Sequence, residues 1–191
     1  MPGPIEDRRC RAGALGHPLR RWLFPARVEL DPLEPLRGAH VADLGAGIGY
    51  HVERLLERIG PTGRLYAVEP DPDHLTLLTE RFGSDGRLVP LGRSANSVPE
   101  IPDAGVDRVL LSLVLCCVVD PGAVLDEGYR ILAPGGRAVV TYPAWGIPTA
   151  RRRRYRLTEE RWARLVRRRP WLERSSERRF GVRRRVLEKP A

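Results

Sequence analysis

The 191-residue sequence predicts a single doubly wound α/β domain on a mostly parallel sheet. Three observations predict it. Short apolar runs alternate with apolar positions at helical spacing, the signature of βαβ units. The first run closes on a glycine turn, VADLGAGIGY at 41–50, of the kind that presents backbone N–H groups to part of a nucleotide. The next run, RLYAVE at 64–69, ends in an acid where a ribose would lie.

The elements follow in order. Residues 1–37 read as an N-terminal lid or support segment, in which Leu19, Trp22 and Leu23 suggest a short helix broken by Pro25. Residues 38–142 read as the cofactor-binding core, opening with the strand HVADL (40–44). Val52, Leu55, Leu56 and Ile59 recur at i, i+3, i+4 and i+7, which puts them on one face of a helix. Gly60, Pro61 and Gly63 stop that helix, and the second strand follows. Asp71 is placed as an N-cap with Pro72 in the first helical position, and Leu75, Leu78 and Phe82 supply the buried stripe.

RLVPL (87–91) is a third strand, and VDRVLLSLVL (106–115) contains a fourth, apolar on both faces as the middle of a parallel sheet requires. Asp120-Pro121 repeats the cap-and-proline device and opens a helix to about Leu132. PGG (134–136) turns the chain into a fifth strand, RAVVTY. Residues 143–191 read as a basic helix and hairpin: Thr158 caps a helix with Trp162, Leu165 and Val166 inward, Pro170 ends it, and strand-like runs at Trp171–Glu177 and Phe180–Leu187 can pair.

Composition narrows the function classes. No stretch approaches about 20 uninterrupted apolar residues, so no membrane span is expected. The opening MPGPIEDRRCRAG has no signal-peptide core, and a cytoplasmic protein is expected. The three cysteines, Cys10, Cys116 and Cys117, form neither a disulfide framework nor a metal pattern, and no metal is expected. Adjacent Cys116 and Cys117 would point to opposite faces of a strand. Net charge is −3 over residues 1–140 and +12 over 141–191. Arginine supplies 32 of the 33 basic residues, a skew that lets Arg fill positions where Lys would serve.

The glycine spacing discriminates between ligands. Gly45, Gly47 and Gly49 alternate, and Tyr50 stands where a dinucleotide fingerprint needs its third glycine. Glu69 can accept both hydroxyls of a ribose in either kind of cofactor. Asp43, at the carboxyl end of the first strand, would repel a pyrophosphate and attract an amino group or a sulfonium; alternatively it caps the turn.

Together these segments resemble the class I S-adenosylmethionine-dependent methyltransferases, of the small-molecule methyltransferase-domain type, from about His17 onward. VADLGAGIGY is similar to the family's first motif and LYAVEPDP to its second. SANSVPEIPDAGVDRVLLS resembles the segment that crosses the adenine, and DPGAVLDEGYRILAPGGRAVV the helix, Pro-Gly-Gly turn and fifth strand. Ser94 stands where relatives commonly carry an acid, and Cys116 where many carry a histidine.

The resemblance implies a seven-stranded sheet with an antiparallel last strand, and S-adenosylmethionine as cofactor with S-adenosylhomocysteine as product. It implies that Asp43, Gly45, Ala46 and Gly47 face the methionine part, Glu69 the ribose, and Pro70, Ser94 and Ala95 the adenine. Ser112 would meet the methionine amino group through its carbonyl. Cys116, Tyr142 and Trp145 lie where an acceptor would enter, beside the alternatives of buried hydrophobes and sheet-edge cover. His17, His40, His51 and His74 are scattered, and none marks a base. The expected acceptor is a small molecule. RRRRYR (151–156) and the later arginines leave open a nucleic-acid methyltransferase or binder, and a catalytically silent partner protein is the third reading.

Overall fold

The computed structural model describes residues 25–144, 157–179 and 181–191. The expected helix at Leu19–Leu23, Cys10, Trp145, RRRRYR and Phe180 lie outside the described residues. The chain enters through a short helix α1 (Ala26–Leu30) and a 3-10 turn (Asp31–Leu33), and then alternates β1 (His40–Leu44), α2 (Val52–Ile59), β2 (Arg64–Val68), α3 (Pro72–Phe82) and β3 (Leu88–Leu91). Next come β4 (Val106–Ser112), α4 (Pro121–Ile131), β5 (Leu132–Pro143), α5 (Glu159–Val166), β6 (Leu172–Arg179) and β7 (Val182–Glu188).

All seven strands share one sheet in the order β3-β2-β1-β4-β5-β7-β6. The first five run parallel, and β7 pairs antiparallel with both β5 and β6. Successive strand residues face opposite sides, which divides the core in two. Val41, Leu110 and Val139 pack with Leu30, Val52, Leu55, Ile59 and Leu78 from α1, α2 and α3. Their neighbours Ala42, Leu111 and Val140 pack with Val124, Leu125 and Trp162 from α4 and α5.

Local chemistry explains the helix starts. Asp71 accepts from the N–H groups of Asp73 and His74, Asp120 from those of Gly122 and Ala123, and Thr158 from that of Arg161. Asp120→Ala removes both bonds at the start of α4 and should cost about 1 kcal/mol. The midpoint of thermal unfolding should then fall by about 2–4 °C. An unchanged midpoint would show that the cap is dispensable.

Two local expectations are corrected. The PGG segment lies within β5, as an irregularity in it: β4 residues Val106 and Arg108 pair with Leu132 and Arg137, so Ala133–Gly136 bulge out of register, with Gly135 at φ 74°. On α3 the buried positions are His74 and Leu78, while Leu75 and Phe82 are only half-buried.

Candidate functional site

The strand order reverses between β1 and β4, and in open α/β sheets the crevice beyond the carboxyl ends at such a point receives the ligand. The glycine turn crosses this crevice with Gly45, Gly47 and Gly49 at φ 86°, 58° and 83°. These values are open to glycine and strained for other residues. Contacts add a second constraint: a Cβ on Gly45 would meet Val114 Cγ2 at 2.3 Å, and one on Gly49 would meet Phe82 Cε2 at 2.8 Å.

Gly45 and Ala46 donate to Val68 O at 2.8 and 3.0 Å, which docks the turn on the end of β2. Glu69, 7% exposed, accepts from Gly47 N at 2.8 Å through Oε2 and from Asp71 N at 3.0 Å through Oε1. His74 Nδ1 stands 3.7 Å from Oε1. A carboxylate offers about four lone-pair positions, so Glu69 keeps acceptor capacity for a diol after anchoring the turn and the start of α3. Asp43 is buried at the end of β1. The N–H groups of Gly45, Ala46, Gly47 and Gly49 bond to Val68 O, Glu69 and Ala46 O, acceptors other than Asp43.

Leu91 O accepts from Glu69 N at 3.0 Å, so the residues after β3 lie along the same edge as those after β2. Pro70 is exposed there, Ser94 half-buried and Ala95 buried. Their loop is pinned where Glu127 accepts from Val98 N at 2.6 Å, and Arg130, bonded to the same carboxylate, donates to the carbonyls of Val98 and Ile101.

At the ends of β4 and β5 the structure reveals a group that sequence reasoning missed. Glu29, on α1, is 6% exposed. Its Oε1 accepts from Ser112 Oγ at 2.7 Å and Thr141 Oγ1 at 2.6 Å, and its Oε2 lies 2.6 Å from His51 Nε2. Burial alone would raise the carboxyl's pKa. The hydrogen bond and charge of His51, with the two hydroxyls, outweigh burial and hold it at about 2. One buried anion thereby ties together α1, the start of α2 and the ends of β4 and β5. Ser112 contributes its hydroxyl to this network. The only advance signal was an acid in the apolar run FPARVEL.

Glu29 and Thr141 line a cleft of about 290 Å³, bounded by Arg27 and Val28 of α1, Leu113 after β4, and Val182 of β7. Tyr142 does not join them. It is 1% exposed, accepts from Arg185 Nε at 2.7 Å and stacks on Trp162 with ring centroids 5.4 Å apart. Thr141 faces the cleft, and alternation therefore sends Tyr142 to the other side of the sheet. This corrects its placement on the acceptor side.

Cys116 is buried, with Sγ donating to Leu113 O at 3.1 Å. The expectation that the adjacent cysteines point apart fails because β4 ends at Ser112. The two fall in a turn with Sγ atoms 3.7 Å apart.

Several of the C-terminal arginines pair with carboxylates of the same chain. Arg168 and Arg169 pair with Asp126, Arg174 with Glu188, Arg184 with Glu177, and Arg185 with Glu159 and Glu173. Among the described residues, no group of three or more His, Cys, Asp or Glu could hold a metal ion, and no helix is long and apolar enough to cross a membrane.

Residues 42–140 match the family described as "Methyltransferase domain". An uncharacterized methyltransferase of Mycobacteroides abscessus is 34% identical over 112 residues, covering 58% of this chain and 42% of its own length. A ubiquinone/menaquinone biosynthesis C-methyltransferase of Hydrogenovibrio crunogenus is 28% identical over 123 residues, 63% of this chain and 47% of that one. The chain thus spans less than half the length of either relative. The crystal structure of a SAM-dependent methyltransferase from Aquifex aeolicus superposes with a TM-score of 0.81 at 18% identity, covering 93% of this chain and 96% of that chain.

Proposed function

Given that the chain belongs to the methyltransferase-domain family of S-adenosylmethionine-dependent enzymes, we propose that it transfers the methyl group to a small molecule held in the cleft beside Glu29 and Thr141. The observation that carries this reading is the cleft itself. Its volume of about 290 Å³ is that of a small-molecule pocket, and it opens where β4 and β5 end.

On this reading Glu69 holds the ribose hydroxyls with the acceptor capacity it retains. Gly45, Ala46 and Gly47 form the wall against the methionine part, and Asp43 faces its positive charge. Pro70, Ser94 and Ala95 border the adenine along the shared edge of β2 and β3. The backbone at Ser112 closes the methionine end, while its side chain holds Glu29. S-adenosylmethionine, when bound, supplies a methyl group activated by the adjoining sulfonium. The chain's own contribution is position: holding acceptor and donor in line can supply up to about 7–11 kcal/mol in favourable cases.

The ion pairs of Arg168, Arg174 and Arg184 with Asp126, Glu188 and Glu177 take part of the C-terminal charge out of reach of a phosphate strand.

The test is a transfer assay with radiolabelled cofactor over small thiols, phenols and amines, with total RNA as the competing acceptor. Label is expected in a small-molecule product. Label in RNA alone would overturn the proposal.

A further inference from the structure

We propose that Glu29 is a positioning residue for the methyl donor: without touching the cofactor, it clamps the glycine turn from two sides and so sets the methionine end of the site. The inference rests on the reading given above, in which Gly45, Ala46, Gly47 and the backbone at Ser112 face the methionine part.

The first side is the exit of the turn. The chain leaves β1 at Gly45 and reaches His51, the residue immediately before α2. His51 is 2% exposed, and its Nε2 lies 2.6 Å from Glu29 Oε2. The Tyr50 ring stands at 88° to the imidazole with centroids 4.8 Å apart, which restricts the imidazole's rotation. Glu69 holds the middle of the same turn through Gly47 N. Two buried carboxylates thus secure one loop, Glu69 at its centre and Glu29 at its exit.

The second side runs through Thr141. Its hydroxyl has one proton, which goes to Glu29 Oε1 at 2.6 Å, and its lone pairs are left to accept from Leu113 N at 3.2 Å. Leu113 stands at φ 59°, a left-handed conformation that is costly for a branched side chain. The bend lays the next residue on the turn, where a Cβ on Gly45 would meet Val114 Cγ2 at 2.3 Å. Ser112, directly before the bend, donates to the same Glu29 oxygen at 2.7 Å. The route from the carboxylate to Gly45 is therefore continuous through hydroxyl, amide, bend and methyl group. Without the anion, both hydroxyls are free to rotate and donate elsewhere. Groups that bind a ligand must be held within about 0.5 Å of their working geometry, so a slack turn loses alignment with the charged amino-acid part. The adenosine part, held by Glu69 and the edge of β2 and β3, does not depend on this clamp.

The experiment is a calorimetric titration at neutral pH with two ligands, S-adenosylhomocysteine and methylthioadenosine, which keeps the adenosine and sulfur but lacks the amino-acid part. Each variant is measured at a temperature where circular dichroism shows it folded. Glu29→Gln should weaken S-adenosylhomocysteine about tenfold, the scale of one aligned hydrogen bond to a charged group, and leave methylthioadenosine within about twofold of wild type. Thr141→Val removes only the second route and should weaken S-adenosylhomocysteine about threefold, which decides the matter even where Glu29→Gln folds poorly. Equal losses for both ligands would make Glu29 a general support of the fold, and no loss for either would show that the turn needs no clamp; each overturns the proposal. Wild-type protein that binds S-adenosylhomocysteine no tighter than methylthioadenosine would overturn the methionine-end reading itself.

Discussion

Glu69→Ala should weaken binding of S-adenosylmethionine and S-adenosylhomocysteine by about a hundredfold to ten-thousandfold in a calorimetric titration. Two hydrogen bonds from ribose hydroxyls to an ionised carboxylate are worth about 1.5–3 kcal/mol each, and a factor of ten corresponds to about 1.4 kcal/mol. The loss has a second source in the fold. Glu69 also accepts from Gly47 N and Asp71 N, at 2.8 and 3.0 Å, so its removal frees the glycine turn and the start of α3. Glu69→Gln separates the two contributions. The amide keeps one acceptor oxygen but turns its NH2 toward an N–H donor, so affinity should fall while the fold is largely retained. Wild-type affinity in Glu69→Ala would refute the ribose assignment.

The scaffold and the glycine turn after β1 were legible because both are written in local patterns. Val52, Leu55, Leu56 and Ile59 occupy the buried face of α2 as their spacing requires, and the Asp-Pro pairs at 71–72 and 120–121 cap the helices they announce. The acceptor side was less legible. Glu29 sits on a helix of five residues, too short for a periodic signal, and its partners lie 22, 83 and 112 positions away. At the end of β5 the choice between Thr141 and Tyr142 turned on a single step of strand phase, and one step exchanges the faces. The convergence of Cys116 and Cys117 depends on where β4 stops. That is set by the left-handed backbone of Leu113, a residue type with no preference for such a conformation.

The buried carboxylate yields the second large effect, this time on stability. Glu29 titrates at about 2 in the folded chain against 4.5 for the free side chain. Because the folded value is the lower one, the ionised form stabilises the fold above pH 4.5, and that contribution is lost as pH falls toward 2. The gap corresponds to about 3 kcal/mol. Glu29→Gln keeps the shape and removes the charge that His51, Ser112 and Thr141 stabilise. At pH 6 it should therefore lower stability by about 3 kcal/mol, or the thermal midpoint by about 6–12 °C. As pH falls the two proteins should converge, since a protonated Glu29 resembles the amide, and near pH 2 their denaturant midpoints should coincide. A constant difference across the range would mean that side-chain shape, and not the charge, ties α1 to the sheet. No difference at pH 6 would mean that the network contributes nothing net: removing a buried charge together with its desolvation cost can be neutral when the remaining groups find new partners. Between these outcomes, the slope against pH separates an anion that organises the mouth of the cleft from one that merely fills it.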